Sequence, residues 1–412
     1  MLNQRLKAAV LITISGHDGP GITSEFMGIL ANGGVPILDI GQAVVNNLLS
    51  LSILFEIDSK ADQSSQSIIK DLLFKATEMG LKLEFKVMDH SEIESGHHLH
   101  TARDQYVITL IADPITADAV HRVTRVLAPF KLNIDSIERL SEGEFGCLEL
   151  MVSGPESKSG SEKLVIGSLK EQLLAVAQAS RVDIAVQAEG LYRRTKRLIV
   201  LDMDSTLIQS EVIDELAREA GAFDAVAKIT REAMNGGLPF DESLRKRCAH
   251  LAGLSVDRLE AVYQRTQLTP GAERMIKVLK KVGYKVALIS GGFTFVADRL
   301  RDRLGLDFCY ANQLELRNGK VTGNVIPPIV NAQRKSDLLD VIAQQERIHL
   351  EQVVAVGDGA NDLLMLQKAG LGIAFNAKPV VRERADASIN QRKLSSILYL
   401  LGISTKDLTA IE

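Results

Sequence analysis

The sequence predicts an α/β protein: a doubly wound parallel sheet with an inserted helical cap, preceded by two smaller βαββαβ units. Three observations lead to this prediction. From residue 196 onward, short apolar runs alternate with helical segments, which is typical of a parallel sheet covered by helices on both faces. A long stretch of helical pattern separates the first two of these runs. Before residue 190, one order of strand and helix patterns occurs twice.

Length and composition limit the classes of protein to consider. At 412 residues the chain is too long for one hydrophobic core, and it predicts two or three domains. The net charge of -4 argues against an overall electrostatic field strong enough to attract nucleic acid or an anionic membrane surface. We expect neither a signal peptide nor a membrane span. The three cysteines lack pairing or metal-type spacing, which favours the reducing cytoplasm.

The first small unit is predicted over residues 1–90. Its elements are, in order, a strand at 8–15, a glycine-rich turn at 16–21, a helix at 22–31, strands at 36–45 and 48–57, a helix at 63–79 and a strand at 82–88. Asn46-Asn47 is a plausible hairpin turn between the second and third strands. This βαββαβ order is that of a ferredoxin-like domain.

The same order is predicted again over residues 105–190. Its elements are a strand at 106–112, a helix at 116–128, a hairpin of strands at 133–140 and 145–152, a helix at 161–179 and a strand at 182–187. Residues 91–104 read as a linker. The linker contains His97, His98 and His100, which could bind a transition metal, but a solvated linker is the favoured interpretation.

The parallel sheet is predicted within residues 195–412. Its strands are expected at 198–203, 285–290, 352–357 and 371–375. Residues 212–266 between the first two strands are almost wholly helical in pattern, so we expect an inserted helical cap there. Asn318-Gly319 predicts a hairpin between runs at 314–316 and 320–325, an antiparallel excursion beside the sheet.

Two acids follow the first strand of this sheet. Asp202 and Asp204 are two residues apart, so in extended chain they point the same way, toward one reactant. Chemistry in α/β enzymes takes place at the carboxyl ends of such strands. Two carboxylates in one small space repel unless a cation joins them or one of them holds a proton.

Three further motifs should converge with Asp202. Ser290-Gly291-Gly292 follows the second strand and is suited to cradle a phosphate. Lys335 lies near a helix start, where its cation could neutralise carboxylate and phosphate. Gly357–Asp362 follows the third strand, and Asp358 with Asp202 makes a magnesium-type rather than a zinc-type oxygen set. Each motif alone has an ordinary explanation as a turn or a solvated side chain. Together, in this order, they favour phosphoryl transfer.

Residues 196–390 resemble the phosphoserine phosphatases of the haloacid dehalogenase superfamily. The matching residues are Asp202–Thr206, Glu211, Thr230–Met234, Phe240–Arg247, Ser290–Phe293, Lys335 and Gly357–Asp362. The resemblance implies a Mg²⁺-dependent phosphomonoester hydrolase that converts O-phospho-L-serine to L-serine and phosphate, the last step of serine biosynthesis.

The resemblance also implies a role for each matching residue. Asp202 would be the nucleophile and Asp204 the general acid/base, with Ser290 and Lys335 stabilising the phosphoryl group. Mg²⁺ would be bound by the carboxylates of Asp202 and Asp358 and by the Asp204 carbonyl. Glu211 and Arg247 would grip the serine part of the substrate. The remaining substrate-binding residues would be Gly291, Gly292, Asn361, Met234 and Phe240. Met234 and Phe240 could cover the pocket and exclude water, or they could serve ordinary cap packing.

The two βαββαβ units resemble ACT domains, which are small-molecule sensing modules. In the first unit, Gly16, Asp18 and Gly21 match the family's ligand loop, which implies an amino-acid effector such as L-serine. A tight turn with Asp18 as helix cap is nearly as well supported. The second unit departs from the pattern, with Ala112-Asp113-Pro114-Ile115 and no glycine. ACT modules commonly pair between chains, so the resemblance suggests a homodimer.

Two alternatives and one ambiguity stay open at this point. The enzyme could act on another small phosphomonoester or on phosphoproteins, although a covering cap disfavours a bulky substrate. The chain could instead be an amino-acid-responsive regulator with a vestigial catalytic half, which the complete set of required acids, serine and lysine disfavours. Arg334 adjoins Lys335, and a shift of one residue would exchange their roles.

Overall fold

The computed structural model describes residues 7–58, 63–88, 103–141, 145–155, 162–234 and 237–411. The predicted linker, including its three histidines, lies outside the described residues except for its last two positions. The chain divides into two compact units, Met1–Arg103 and Asp104–Glu412.

The first unit is a four-stranded antiparallel sheet with two helices. Its elements are β1 (Lys7–His17), α1 (Ile22–Asn32), β2 (Ile37–Val45), β3 (Leu48–Asp58), α2 (Gln63–Glu78) and β4 (Lys82–Met88), with sheet order β2-β3-β1-β4. Alternate residues of β1 and β3, such as Ile12 and Phe55, pack with Phe26 of α1 in the core. The predicted hairpin turn is confirmed, because Asn46 and Asn47 both have left-handed φ angles, 48° and 65°.

The second unit begins with the repeat of this pattern. It contains β5 (Arg103–Ala112), α3 (Ala117–Leu127), β6 (Asn133–Arg139), β7 (Gly146–Pro155), α4 (Glu162–Ser180) and β8 (Asp183–Ala188). The α3 sequence is helical for local reasons: Thr116 caps it by accepting a hydrogen bond from the Ala119 amide, and Ala119, Val123 and Leu127 form its buried stripe.

The remaining elements form the parallel sheet, its covering helices and the cap. They are α5 (Leu191–Arg194), β9 (Leu198–Leu201), α6 (Val212–Glu219), α7 (Phe223–Met234), α8 (Phe240–Ala249), α9 (Val256–Arg265), α10 (Ala272–Lys281), β10 (Lys285–Phe293), α11 (Thr294–Leu304), β11 (Phe308–Arg317), β12 (Lys320–Ile326), α12 (Ala332–Gln345), β13 (Val353–Gly357), α13 (Leu363–Lys368), β14 (Leu371–Phe375), α14 (Pro379–Arg382), β15 (Ala387–Ile389), α15 (Ile397–Leu400) and α16 (Thr405–Ile411). Helices α6 to α9 occupy the stretch where the sequence predicts the cap.

One eleven-stranded sheet runs through the second unit. Its order is β12-β11-β10-β9-β13-β14-β15-β8-β5-β7-β6, and the strands from β10 to β15 are parallel. Strand β9 lies between β10 and β13, and its four residues are fully buried. The α/β fold class predicted from the sequence is confirmed.

The observed strands differ from the prediction in four main places. Strand β10 continues to Phe293, so Ser290-Gly291-Gly292 belongs to the strand instead of following it, and the pairing with β11 shifts register there. Strand β9 ends at Leu201 because the chain turns out of the sheet after it, with Ser205 at φ 56°. The Asn318-Gly319 hairpin is confirmed, but β11 also pairs in parallel with β10, so the hairpin extends the sheet. The three-residue strand β15 was not predicted; it pairs with β14 on one side and, antiparallel, with β8 on the other.

The described helices include none long and apolar enough to cross a bilayer.

Candidate active site

The site forms where three neighbouring strands end. Strands β10, β9 and β13 are parallel and in register, with Leu201 beside both Leu288 and Val356. The residue after β9 is Asp202, whose amide donates to the carbonyl of Val356 at 2.9 Å. Ser290 lies near the end of β10, and Asp358 follows β13. Residues that lie 68 to 156 positions apart in the sequence are therefore brought to one edge of the sheet.

The ammonium of Lys335 lies between two carboxylates. Its Nζ is 2.5 Å from Oδ1 of Asp202 and 2.6 Å from Oδ1 of Asp362, and none of the lysine side chain is exposed. Burial lowers the pKa of Lys335, but the two carboxylates raise it above its ordinary value, so the lysine is charged. The neighbouring Arg334 is exposed on the same helix, α12.

Asp204 has a different environment from Asp202. Its Oδ1 accepts a hydrogen bond from the amide of Val212 at 3.1 Å. Burial and the nearby charge of Glu211 raise the pKa of Asp204 to about 8. Because this carboxyl holds its proton at neutral pH, it can act as a general acid.

The last residues of β10, Ser290–Phe293, lie where the pairing with β11 shifts register, and this irregular stretch, the Ser290 loop, approaches Asp204 closely. A Cβ on Gly292 would lie 2.6 Å from Oδ2 of Asp204 and from Cε of Met203, so only glycine fits there without displacing them. The Gly292 amide donates to Oγ of Ser290 at 2.8 Å, which leaves the Ser290 hydroxyl proton available to another acceptor. Ser290 is fully buried.

Asn312 supports this loop from behind. Its Nδ2 donates to the Gly291 carbonyl at 2.8 Å, and its Oδ1 accepts from the Val330 amide at 2.8 Å. The Asn312 side chain is fully buried, so both bonds are shielded from water. The loop is therefore tied to the segment that leads into α12 and Lys335.

Three carboxylates could hold a metal ion. Ligand oxygens of Asp202, Asp358 and Asp362 all lie within 4.8 Å of one another. Burial and Asp362 raise the pKa of Asp358 to about 7, and burial and Asp362 also raise the pKa of Asp202. Three clustered acids exceed the charge of the Lys335 ammonium that contacts two of them, and a divalent cation could offset this excess. The donors are all oxygen, which suits a hard cation.

A cavity of about 610 Å³ joins these groups to the cap. On the cap side its lining includes Glu211, Phe240 and Arg247. Burial lowers the pKa of Arg247, and the only hydrogen bond the described structure shows for it runs from Nε to the Ser243 carbonyl at 3.4 Å. Glu211 accepts a hydrogen bond from the Ser205 hydroxyl at 2.8 Å. The cavity thus brings the carboxylates of the core together with Glu211 and Arg247.

The structure brings together most of the residues singled out from the sequence. Around this cavity or against its walls lie Asp202, Asp204, Glu211, Phe240, Arg247, Ser290, Gly291, Gly292, Lys335, Asp358 and Asn361. Met234 ends helix α7, but its side chain lies outside the described residues. In the first unit, the residue that caps α1 is Gly21, so the interpretation of Asp18 as helix cap is wrong.

Sequence reasoning missed four residues of this site. Asp362 stands in the quoted motif, yet its bond to Lys335 was not predicted. Thr206, also in a quoted motif, donates to Oδ1 of Asp358 at 3.3 Å. Lys378 lines the cavity, and Asn312 supports the Ser290 loop, but neither belongs to a local pattern that would single it out.

Comparisons with protein families agree with this organisation. Residues 196–370 match the model of haloacid dehalogenase-like hydrolases. Residues 8–86 and 105–187 each match a model of the ACT domain.

Similar proteins are known over nearly the whole chain. Phosphoserine phosphatase SerB2 of Mycobacterium tuberculosis is 41% identical over 407 residues, which are 98% of this chain and 96% of the relative. A phosphoserine phosphatase of Streptomyces coelicolor is 41% identical over 98% of this chain and 94% of its own length. The crystal structure of a probable phosphoserine phosphatase from Vibrio cholerae, 31% identical, matches with a TM-score of 0.56 over 76% of this chain and 92% of its own.

Proposed function

The chain belongs to the phosphoserine phosphatases, haloacid dehalogenase-like hydrolases that carry ACT domains here, and we propose how its residues hydrolyse O-phospho-L-serine to L-serine and phosphate. The observation that supports the assignment of roles is the buried ion pair between Lys335 and Asp202, the residue that follows β9 and lines the cavity. Burial raises the pKa of Asp202, and the Lys335 ammonium opposes this rise and favours the carboxylate form that a nucleophile needs. The raised pKa of the neighbouring Asp204 favours a bound proton there.

In this proposal Asp202 attacks phosphorus and forms an aspartyl-phosphate. The P–O bond to serine breaks as the new bond forms, and Asp204 gives its proton to the leaving serine oxygen. Asp204, now a carboxylate, then takes a proton from the water that attacks the aspartyl-phosphate, which releases phosphate and regenerates Asp202. The Ser290 hydroxyl, the Gly291 amide and the Lys335 ammonium donate to the phosphoryl oxygens.

We propose that Mg²⁺ binds at the cluster of carboxylates. Asp202 and Asp358 would hold it through their carboxylates and Asp204 through its carbonyl, while Asp362 stays paired with Lys335. An all-oxygen set with few carboxylates suits Mg²⁺ better than zinc. When bound, the ion neutralises charge on the phosphoryl group.

Specificity for serine would come from the cap. Arg247 can clamp the substrate carboxylate bidentately, and Glu211 can accept from its ammonium. Phe240 lies over the phosphate loop, where its Cζ is 3.2 Å from the Cβ position of Gly291. A cavity of 610 Å³ between cap and core is suited to a small ester rather than to a phosphoprotein.

The test is phosphate release from a panel of phosphomonoesters with Mg²⁺ and then with EDTA. Asp202→Asn should abolish release, whereas Asp302→Asn, which neutralises an exposed carboxylate, should leave it unchanged. Full activity of Asp202→Asn would refute the nucleophile. Preference for an ester without an amino-acid moiety would refute the roles of Glu211 and Arg247.

We also propose that L-serine binds the first unit at Gly16, Asp18 and Gly21. The amides of the first turn of α1 receive no side-chain cap from Gly21, so they remain available to a carboxylate. Serine titration of activity with Asp18→Ala and with the exposed Asp39→Asn as control tests this site. An unchanged serine response in Asp18→Ala would refute it.

A homodimer through the first unit is our proposal for the assembly. Edge strand β4 exposes Phe85 and Val87 by 49% and 55%, and edge strand β2 exposes Val44 by 45%. Edges of this kind pair readily with a second chain. Light scattering of Phe85→Glu should give a monomer, and a mass unchanged from that of the parent would contradict the interface.

We place the enzyme in the cytoplasm, as its cysteine chemistry suggests. Cys147, Cys248 and Cys309 are all unpaired, and burial raises the pKa of each thiol to about 12. Such thiols are unreactive and are compatible with a reducing compartment. Fractionation of cells expressing the chain tests this location.

A further inference from the structure

A second cavity, of about 380 Å³, lies where the second βαββαβ pattern joins the catalytic sheet. One wall comes from the end of α4 and the start of β8, and the other from α14, β15 and the residues after it. The lining includes Arg181, Asp183, Arg382, Ser388 and Asn390. None of its lining residues is shared with the cavity at Asp202.

Two buried polar atoms in this wall have no hydrogen-bond partner among the described residues. They are Oγ of Ser388, a residue only 8% exposed, and Nε of Arg382. Buried polar groups in folded proteins are nearly always paired. The Arg382 guanidinium donates from Nη1 to Oδ1 of Asn390 at 3.2 Å, while its Nε has no such partner.

The charges of the cavity favour a negative ligand. Arg181 and Arg382 contribute two positive charges, and Asp183 is the only acid in the lining. The Asp183 carboxylate is already occupied, because it accepts from the backbone amide and from Nδ2 of Asn390 at 2.9 and 2.8 Å. The groups left without partners are therefore a hydroxyl and a cationic donor, both suited to an oxygen anion.

We propose that this cavity binds a small oxyanion, a carboxylate or a phosphate, through Ser388, Arg382 and Arg181. The two products of the reaction carry such groups, inorganic phosphate as an anion and L-serine through its carboxylate, and this choice of probes rests on the proposed function. The cavity is large enough for either.

The site is joined directly to the catalytic centre. Arg382 is the last residue of α14, and Lys378, just before the helix, lines the Asp202 cavity. The Lys378 amide donates to the Asp358 carbonyl at 3.3 Å. A ligand held by Arg382 therefore contacts the short segment that also touches the loop of the catalytic carboxylates.

Equilibrium binding to the full chain tests the proposal. Phosphate and L-serine are titrated separately, at constant chloride, and the number of sites per chain is counted. Arg382→Gln and Ser388→Ala should each lose one site, or weaken it at least about tenfold, relative to the parent chain. The matched control is Arg384→Gln, which removes an exposed arginine two residues away that does not line the cavity.

The Ser388→Ala variant distinguishes loss of binding from loss of folding. It removes an unpaired buried hydroxyl, so its melting temperature without ligand should be no lower than that of the parent chain. Loss of a phosphate site alone identifies a phosphate ligand, and loss of a serine site alone identifies a carboxylate. An equal number of sites in the parent and both variants, for both probes, would overturn the proposal and leave ordered water as the partner of these donors. Failure of the proposed function would instead appear as absent phosphate release, which this binding count does not require.

Discussion

Replacing Lys335 by methionine should strongly destabilise the second unit. Methionine keeps the length and the apolar stem of lysine but removes the ammonium that contacts Asp202 and Asp362 at 2.5 and 2.6 Å. Both carboxylates are almost fully buried, so water cannot replace the lost cation. Removing one partner of a buried ion pair costs about 3–5 kcal/mol in unfolding free energy.

This cost should depend on pH. Burial and the charge of Asp362 raise the pKa of Asp202, and Lys335 opposes that rise. Without the ammonium, Asp202 therefore takes up a proton more readily as the pH falls, which relieves its repulsion with Asp362. We therefore expect urea unfolding, followed by circular dichroism in EDTA, to show a larger loss for Lys335→Met at pH 8 than at pH 5. Phosphate release should fall by at least about a hundredfold, because a charge on the phosphoryl group loses its fixed counter-charge.

Two further variants make the test specific. Arg334→Met removes an exposed cation from the adjacent position, and its free energy of unfolding should stay within about 0.5 kcal/mol of that of the parent chain. Lys335→Met combined with Asp362→Asn removes one stranded carboxylate and should recover part of the stability, a coupling that a double-mutant cycle measures. If Lys335→Met alone unfolded within about 0.5 kcal/mol of the parent at pH 8, the assigned ion pair would be wrong.

Three other outcomes follow from the geometry of the site. Arg247→Gln should raise KM for phosphoserine by roughly tenfold to a hundredfold. The KM for phosphoethanolamine, which has no carboxylate, should change little. Equal effects on both esters would contradict the proposed carboxylate clamp. In the metal-free folded chain the pKa values of Asp204 and Asp358 are about 8 and 7, so both hold protons at a pH where the unfolded chain has lost them. The free energy of unfolding should therefore fall as the pH rises from about 4 to 8. Mg²⁺ should then stabilise more at pH 8 than at pH 5 by thermal melting, and an Mg²⁺ effect independent of pH would count against the carboxylate set. Gly292→Ala places a Cβ 2.6 Å from Oδ2 of Asp204, so it should lower the free energy of unfolding by about 1–3 kcal/mol and remove most of kcat. Gly167→Ala in helix α4 has open space around it and should be neutral or stabilising. Comparable melting temperatures of the two variants would argue against the close approach.

Local signals in the sequence were sufficient for most elements of the fold. The turns at Asn46-Asn47 and Asn318-Gly319 were predictable because left-handed φ angles favour asparagine and glycine whatever the rest of the chain does. Strand β9 was predictable because a strand buried on both faces must be apolar throughout. The acids after this strand were recognisable as candidate site residues because parallel strands end at one common edge of the sheet.

The assignment of charged partners needed the folded chain. Arg334 and Lys335 carry the same charge one residue apart, and the sequence left open which of them enters the site. The packing of α12 against the strand ends decided it, because Lys335 belongs to the buried stripe of this helix, together with Leu338 and Leu339, whereas Arg334 lies outside that stripe and is exposed. Asp362 became its second partner only because the loop after β13 folds back to the same place.

What the sequence by itself determined is therefore the order of elements, the fold class and the set of catalytic residue types, all of which rest on periodicity and spacing along the chain. What only the tertiary structure decided is which side chains share a charge and where the two halves of the second unit join. Strand β15 has three residues and pairs with β8, about 200 positions earlier. A segment of three residues is too short to show a hydrophobic periodicity in the sequence. Its pairing exists because elements far apart in the chain leave two strand edges side by side.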